Sequence, residues 1–306
     1  MTFLARSLLF VPANSWRLML SSLRSEADVI VLDMEDAVPI GEKETARWLV
    51  REFLKDERER FRGKVFVRVN SPTTGLLVDD LEFTVVKGLD GVVLPKTEGV
   101  DDIKQLERQL QRLEERRGLE EVRIIPLIES AMGVERSLEI ALSSRRICAL
   151  SFGMGDFLRD LGRSVGDLSD DEIELMYARS KVSVASAAAR VPALDTPFLG
   201  LIIDREGVRR QALLARRLGY KGKYAIHPSH VPVINEVFTP SDKEIREAEE
   251  IVEAYERAVS RGLGAASHRG MMIDRMNYEQ AKALLEMARE IEFRSKIHSR
   301  RSGSHK

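Results

Sequence analysis

The chain is predicted to form a (β/α)8 TIM barrel with a C-terminal helical extension, on two observations. Eight short apolar segments recur along its 306 residues: LLFVPAN, VIVLDMED, VFVRVN, GVVLPK, IIPLIES, LSFGMGD, ALDTPF and YAIHP. Segments with helical periodicity lie between them, so strand and helix alternate nearly throughout. The apolar runs are short, continuous and rich in Val, Ile, Leu and Phe, as suits strands buried on both faces. Eight parallel units favour closure, and Arg6 to Arg261 comes close to the roughly 250 residues a barrel of this kind needs. An open doubly wound sheet is the runner-up, but no glycine-rich phosphate loop follows any strand.

Ser15 is placed to cap a helix reaching about Ser25, and Glu42 to Lys55 carries Ala46, Leu49, Val50 and Phe53 at three- and four-residue steps. Further helices are expected over Val100 to Arg117, Val134 to Ala141, Asp170 to Arg190, Glu206 to Leu218 and Lys243 to Arg261. The barrel domain is therefore drawn as residues 1–262, with a helical lid or oligomerisation extension over 263–293. Within the extension, Gly262 to Gly270 is small and polar enough for a mobile connection. Asn277 to Ile291 reads as an amphipathic helix, with Asn277 and Gln280 as its cap, which leaves Asp274 free for chemistry. The basic, Ser-rich tail over 294–306 is expected to be disordered.

A composition of 43% apolar and 32% charged residues with net charge −1 suits a compact enzyme and argues against nucleic acid as the main partner. The single cysteine, Cys148, has no internal disulfide partner, and the N-terminus carries neither a signal peptide nor a spanning helix. A cytoplasmic protein with no membrane association is expected.

Active sites of (β/α)8 barrels lie at the carboxyl ends of the strands. Here those ends supply Asn14, Asp33 with Glu35 and Asp36, Arg68 with Asn70, Lys96, Glu129, Asp156, Asp195 and His227. Glu129 and Asp156 end consecutive strands, so two carboxylates should face one cleft, where they would repel each other unless a cation lies between them. Hard oxygen donors without clustered His or Cys favour Mg2+, with Mn2+ also suitable, over zinc. Arg68 adds a forked, permanently charged donor suited to a carboxylate or a polarised carbonyl. A cation beside an arginine suits an α-keto acid and the enolate chemistry of aldol or Claisen cleavage. Blander readings remain open. Asp36 is equally readable as a turn cap, Arg68 as an ordinary ion pair with Glu35 or Asp36, and His227 as a rigid loop element before Pro228. Lys96 could instead be a Schiff-base lysine, which would make the metal unnecessary.

The stretches RSLLFVPAN, VIVLDMEDAV with Lys43, Ala46 and Arg47, VFVRVN, GVVLPKTE, IIPLIESAMGV, SFGMGDFLRDLG, YARSKV, LDTPF, GYKGKYAIHPSHVPVINEVFTPS and GMMID carry a resemblance. Together, from about Arg6 to Ala283, they resemble the citrate lyase β-subunit family within the HpcH/HpaI aldolase superfamily, which includes malyl-CoA, β-methylmalyl-CoA and citramalyl-CoA lyases. The resemblance implies a Mg2+-dependent lyase that cleaves a 3-hydroxy-acyl thioester to an acyl thioester and an α-keto acid, or runs the reverse condensation. It also implies a homotrimer or hexamer. By it, Glu129 and Asp156 match the metal ligands and Arg68 the substrate-binding arginine. Asp33, Glu35 and Asp36 match an acidic motif near metal-bound waters, and His227 matches part of the thioester cleft. Asp274 matches an aspartate that reaches the site of a neighbouring subunit and acts at the acyl carbon. Lys96 is a further substrate-binding candidate, and Arg17 is an exposed basic side chain for the CoA phosphates. Many members read Gly-Ala-Glu-Asp where this chain has Gly153, Met154, Gly155 and Asp156, so the metal aspartate survives without the preceding acid. Two alternatives accompany this reading: a citrate lyase β subunit acting on an acyl-carrier-protein (ACP) thioester with partner subunits, and a non-catalytic thioester-binding or assembly subunit.

Overall fold

The computed structural model describes residues 3–169 and 171–302, the last nine as backbone alone. It divides into two compact units, Ala5–Phe238 and a second that gathers the residues from Thr239 onward with Phe3 and Leu4.

The first unit is the expected barrel. Its strands are β1 (Ser7–Pro12), β2 (Val29–Asp33), β3 (Lys64–Arg68), β4 (Gly91–Leu94), β5 (Arg123–Ile128), β6 (Leu150–Phe152), β7 (Ala193–Asp195) and β8 (Gly222–Ala225). Neighbours pair in chain order, and the parallel register of Ser7, Leu8 and Leu9 with Lys223, Tyr224 and Ala225 closes the ring. The strands are buried almost end to end because helices cover the outside while side chains fill the inside, hence their lack of polar alternation.

The unit's helices are α1 (Trp16–Ser22), α2 (Lys43–Glu52), α3 (Leu77–Thr84), α4 (Val100–Arg117), α5 (Ala131–Glu135), α6 (Ser137–Leu142), α7 (Met154–Asp160), α8 (Ile173–Ala188), α9 (Arg205–Arg217) and α10 (Val231–Phe238). In α1, Ser15 accepts from the Leu18 amide, as a capping residue should. The limits of α4 match expectation at both ends: Ile103, Leu106, Leu110 and Leu113 form its buried stripe, and Gly118 terminates it in the left-handed region at φ 63°. The single helix expected over Val134 to Ala141 is instead split into α5 and α6 at Arg136. Sequence periodicity missed α3, α7 and α10, each only seven or eight residues long and too short to show a repeating stripe.

The second unit contains α11 (Asp242–Val259), β9 (Ala266–His268), β10 (Met271–Ile273) and α12 (Arg275–Ser302). It corrects the domain boundary drawn at residue 262. The helix α10 packs on β1 and β8 as the eighth barrel helix, whereas α11 packs on α12 and β9. A reciprocal Ser241–Glu244 capping box starts α11 afresh after Pro240. Three further expectations change. The polar connection, Gly262 to Gly270, carries β9, which pairs antiparallel with β10 just beyond it. Asp274, and not Asn277, caps α12, its Oδ1 accepting from the Met276 and Asn277 amides at 2.9 and 3.1 Å. Finally, α12 runs through much of the tail expected to be disordered, because no Gly or Pro interrupts it from Arg275 to Ser302. Residues 303–306 lie outside those described. No helix among the described residues is long and apolar enough to cross a membrane.

A buried charge cluster ties three elements together behind the barrel mouth. Asp80 on α3 accepts from the Asn70 amide and side chain, each at 2.7 Å, and from Arg47 Nε on α2, also at 2.7 Å. Its carboxylate is wholly buried. Removing it would leave Arg47 with the exposed Asp79, 3.9 Å away, and a 3.5 Å bond to the Leu76 carbonyl. Asp80→Ala is therefore expected to lower the unfolding free energy by about 3 kcal/mol or more in urea denaturation. A loss below about 1 kcal/mol would show that water takes over the role of the carboxylate.

Candidate active site

Two cavities of about 440 and 230 Å³ open at the carboxyl ends of the strands and share Glu129 and Asp156. The larger is polar, with Ser71, Thr73, Lys96, Ser130 and Arg159 on its walls. The smaller sets Arg68 against Phe10, Leu127, Met154, Leu199 and Tyr224. A more polar and a more apolar cavity thus meet at one pair of carboxylates.

Arg68, at the end of β3, is gripped by Asp33 at the end of β2: Nε donates to Oδ1 at 2.7 Å and a terminal nitrogen to Oδ2 at 2.5 Å. The guanidinium lies over the Phe10 ring, 4.6 Å from its centroid, and that ring stacks on Tyr224. Burial opposes the arginine's charge, but Asp33, Glu35 and Glu129 outweigh it and hold the group protonated. The ordinary ion pair anticipated for Arg68 is thus present, and its fork-to-fork partner is Asp33 rather than Glu35 or Asp36.

Glu35 is buried, and burial raises its carboxyl above the usual carboxylate range against the pull of Arg68 and Lys96. Lys96 Nζ bonds its Oε1. Glu35 Oε2 stands 3.0 Å from an Arg68 nitrogen without hydrogen-bond alignment, and is left a buried acceptor with no donor. Lys96 Nζ also lies 3.5 Å from Asp36 and 3.7 Å from Asp156. Burial would lower the Lys96 ammonium's pKa, but its bond to Glu35 and the charges of Glu35, Asp36 and Asp156 reverse that and raise it. An ammonium so stabilised is ill suited to the Schiff-base role, which needs a neutral amine.

Glu129 is strongly perturbed as well. It is 5% exposed and its pKa is pushed up to about 8, first by burial and then by Glu35 and Asp156, against Arg68 and the Lys96 amide. That amide donates to its Oε1 at 2.7 Å, from a backbone in the left-handed region at φ 51°. Asp156, in the first turn of α7, pairs with Arg159 at 2.6 Å.

The sequence-derived candidates divide. Asp33, Glu35, Asp36, Arg68, Lys96, Glu129 and Asp156 converge on the cleft. Asn70 instead serves the Asp80 cluster. Asp195 is fully buried between Arg179 and Lys223, behind the cavity walls. His227 starts a short 3-10 turn, its Nδ1 accepting from the Ser229 amide at 3.2 Å. Exposed Arg17 on α1, like His227, lines neither cavity. Asp274 lies in the second unit as the α12 cap. Two contributors escaped the strand-end reading because they are not at strand ends. Phe10 lies inside β1. Lys43, on α2, donates to the Met34 and Glu35 carbonyls at 2.6 and 2.7 Å and so fixes the acidic loop.

Among the described residues no three His, Cys, Asp or Glu side chains converge as a ready-made metal cage. A magnesium site does not require one, since that ion keeps several waters and is commonly held by one or two carboxylates. Glu129 and Asp156 fit such a role: they offer hard oxygens on the wall both cavities share, burial and the neighbouring Glu35 and Asp156 disfavour an uncompensated charge on Glu129, and the buried Glu35 Oε2 beside Arg68 accepts no hydrogen bond.

Residues 6–228 match the HpcH/HpaI aldolase/citrate lyase family. The citrate lyase subunit beta of Haemophilus influenzae is 33% identical over 288 residues, 94% of this chain and 97% of its own. The mitochondrial citramalyl-CoA lyase of Rattus norvegicus is 32% identical over 94% of this chain and 86% of its own. Among solved structures, CitE from Mycobacterium tuberculosis in complex with magnesium, acetoacetate and coenzyme A superposes with a TM-score of 0.73. It is 28% identical, over 92% of this chain and 97% of its own. The barrel, its carboxylate-rich mouth and these likenesses agree: the chain belongs to the HpcH/HpaI aldolase/citrate lyase family and is a carbon–carbon lyase.

Proposed function

We propose that this lyase is Mg2+-dependent and cleaves a 3-hydroxy-acyl-CoA thioester of the malyl-CoA, methylmalyl-CoA or citramalyl-CoA type to an acyl-CoA and an α-keto acid, or runs the reverse Claisen condensation. The observation that carries the reading is Glu129, a buried carboxyl at the wall shared by both cavities, whose neighbours Glu35 and Asp156 raise its pKa further. Relatives named for citrate and citramalyl-CoA lysis, and a neighbour crystallised with magnesium and coenzyme A, support it.

Glu129 and Asp156 are the residues that would hold the magnesium. When bound, the ion supplies Lewis-acid polarisation of a keto oxygen. Arg68, fixed in orientation by Asp33, stabilises the negative charge on that oxygen once the hydroxyl has lost its proton and until the carbon–carbon bond breaks, and the same charge as the bond forms in the condensation direction. The substrate hydroxyl gives its proton to the Glu35 and Asp36 pair, of which Glu35 has the raised pKa suited to a general base. The bonding electrons move to the acyl fragment as a thioester enolate, and Asp274 of a neighbouring subunit returns a proton to its α-carbon. In support of that subunit exchange, Asp274 follows the exposed Met271 and Met272 of β10, an apolar edge suited to burial against another copy. Lys96 contributes a cation for the substrate carboxylate, and His227 and Arg17 are the candidates for contacts along the thioester arm.

Purified protein is expected to release an α-keto acid and acyl-CoA from malyl-CoA or citramalyl-CoA with Mg2+, and to fall silent in excess EDTA. The 33% identity to a citrate lyase subunit beta keeps a carrier-protein substrate as the second reading. Turnover of citryl-ACP but of neither CoA ester would establish it. Mg2+ binding with no turnover of any ester would favour a thioester-binding subunit.

The Glu129 shift also sets a pH dependence. Because its folded pKa of about 8 exceeds the ordinary 4.5, the folded protein holds the extra proton. That contribution to stability is complete below the ordinary value and is lost as pH rises through the folded one. Below pH 8, Mg2+ must displace this proton, so its apparent affinity should climb about tenfold per pH unit and then level off. Titration calorimetry in buffers of different ionisation enthalpy should detect about one proton released near pH 7. Glu129→Gln should abolish tight Mg2+ binding, yet leave the metal-free protein at least as heat-stable as the parent at pH 8. A destabilised Glu129→Gln would instead mark Glu129 as an ionised structural partner.

Subunit sharing predicts complementation. Mixed oligomers of Arg68→Ala and Asp274→Ala parents should recover activity that neither parent has, whereas a self-contained chain would leave every mixture inactive.

A further inference from the structure

Glu129 imposes a restriction on the helix that carries Asp156. A Cβ at position 153 would meet Glu129 Oε2 at 2.8 Å and Glu129 Cβ at 3.1 Å, so a side chain there would collide with the buried carboxylate. Gly153 is also the N-cap residue of α7, and a glycine has no side chain with which to cap. The first turn of α7 therefore depends on an acceptor from elsewhere. Thr196, which follows β7 and is 1% exposed, supplies it, its hydroxyl accepting from the Met154 amide at 3.0 Å.

Thr196 is itself held from behind. Its carbonyl accepts from Lys223 Nζ at 2.7 Å, and the same ammonium pairs with Asp195 at 2.7 Å. Asp195 takes both arms of the Arg179 fork, at 3.0 and 2.7 Å, and Arg179 bonds Glu172 at 2.5 Å. The side chains of Arg179, Asp195 and Lys223 are completely buried, and none lines either of the two cavities at the barrel mouth. Charged groups buried this deeply are costly unless fully paired. Here their pairing ends on the residue after Asp195, the one that touches α7.

We infer that Thr196 is a positioning residue for Asp156: its hydroxyl, anchored through Lys223, Asp195 and Arg179, sets the first turn of α7 and hence the placement of the Asp156 carboxylate at the cleft. This rests on the reading that Asp156 holds Mg2+, but the contact itself can be tested without the metal. Thr196→Val keeps the shape and removes the acceptor, while Thr196→Ser retains a hydroxyl.

In the full-length protein, hydrogen exchange of the α7 amides should accelerate by about tenfold in Thr196→Val, the effect of losing one capping bond. The α4 amides should keep their parental rates, and Thr196→Ser should restore slow exchange in α7. Calorimetric titration with Mg2+ alone should show a Kd raised about tenfold in Thr196→Val and returned to within a few-fold of the parent in Thr196→Ser. Parental exchange in α7 of Thr196→Val would overturn the inference. So would faster exchange with unchanged Mg2+ affinity, since the cap would then hold the helix without placing Asp156. A parent protein that binds no Mg2+ would strike down the magnesium reading instead, and the exchange comparison would still decide whether Thr196 sets α7.

Discussion

Burying the Glu129 carboxyl is the constraint around which the barrel mouth is arranged. Its Oε1 is met by the amide of Lys96, a non-glycine residue that stands at φ 51°, a conformation costing about 1–2 kcal/mol. Its Oε2 occupies the space a side chain at position 153 would need, so the start of α7 is a glycine and its cap must come from β7. Strain at one strand end, a missing side chain at another and a borrowed cap at a third all follow from where one carboxyl group sits.

The second organising feature is a hierarchy among charges. Asp33 is committed to Arg68, Asp80 to Arg47 and Asn70, and Asp195 to Arg179 and Lys223. In these clusters carboxylates are spent on orienting cations or backbone, and the partners are nearly or fully buried. The cleft carboxylates are different: Glu35, Asp36 and Asp156 share the ammonium of Lys96, with one edge of Arg68 beside Glu35 and Arg159 beside Asp156, while Glu129 accepts from the Lys96 backbone amide. Negative charge therefore remains in excess where the polar and apolar cavities join. Such an arrangement suits the cation and the anionic oxygen of the proposed reaction.

Much of this was legible in the residue order. Continuous apolar runs located all eight strands, because strands covered on both faces cannot alternate, and the polar residues ending those runs included the carboxylates gathered around Lys96 and Arg68, though not Glu98 and Asp160 on the wall of the larger cavity. Other strand-end residues serve the scaffold instead. Asn70 and Asp195 also stand where strands end, yet whether such a side chain reaches the cleft or only a buried partner depends on what another element places opposite it. Lys43, from the middle of α2, and Thr196, acting through a backbone amide, left no pattern for periodicity to detect. Likewise, the extension was recognised as helical, but its border was set by whether α11 packs on the barrel or on α12, a choice an amphipathic stripe does not encode.

The sequence by itself determined the barrel, the chemistry available at its mouth and the family, because strand burial, residue type and motif order are local properties of the chain. Tertiary structure alone decided which carboxylates are already paired, which is pushed to bind a proton near neutral pH, and what fills the cap that Gly153 lacks. Those outcomes come from desolvation and from distances between residues dozens to more than a hundred positions apart, and neither exists until the ring of strands has closed.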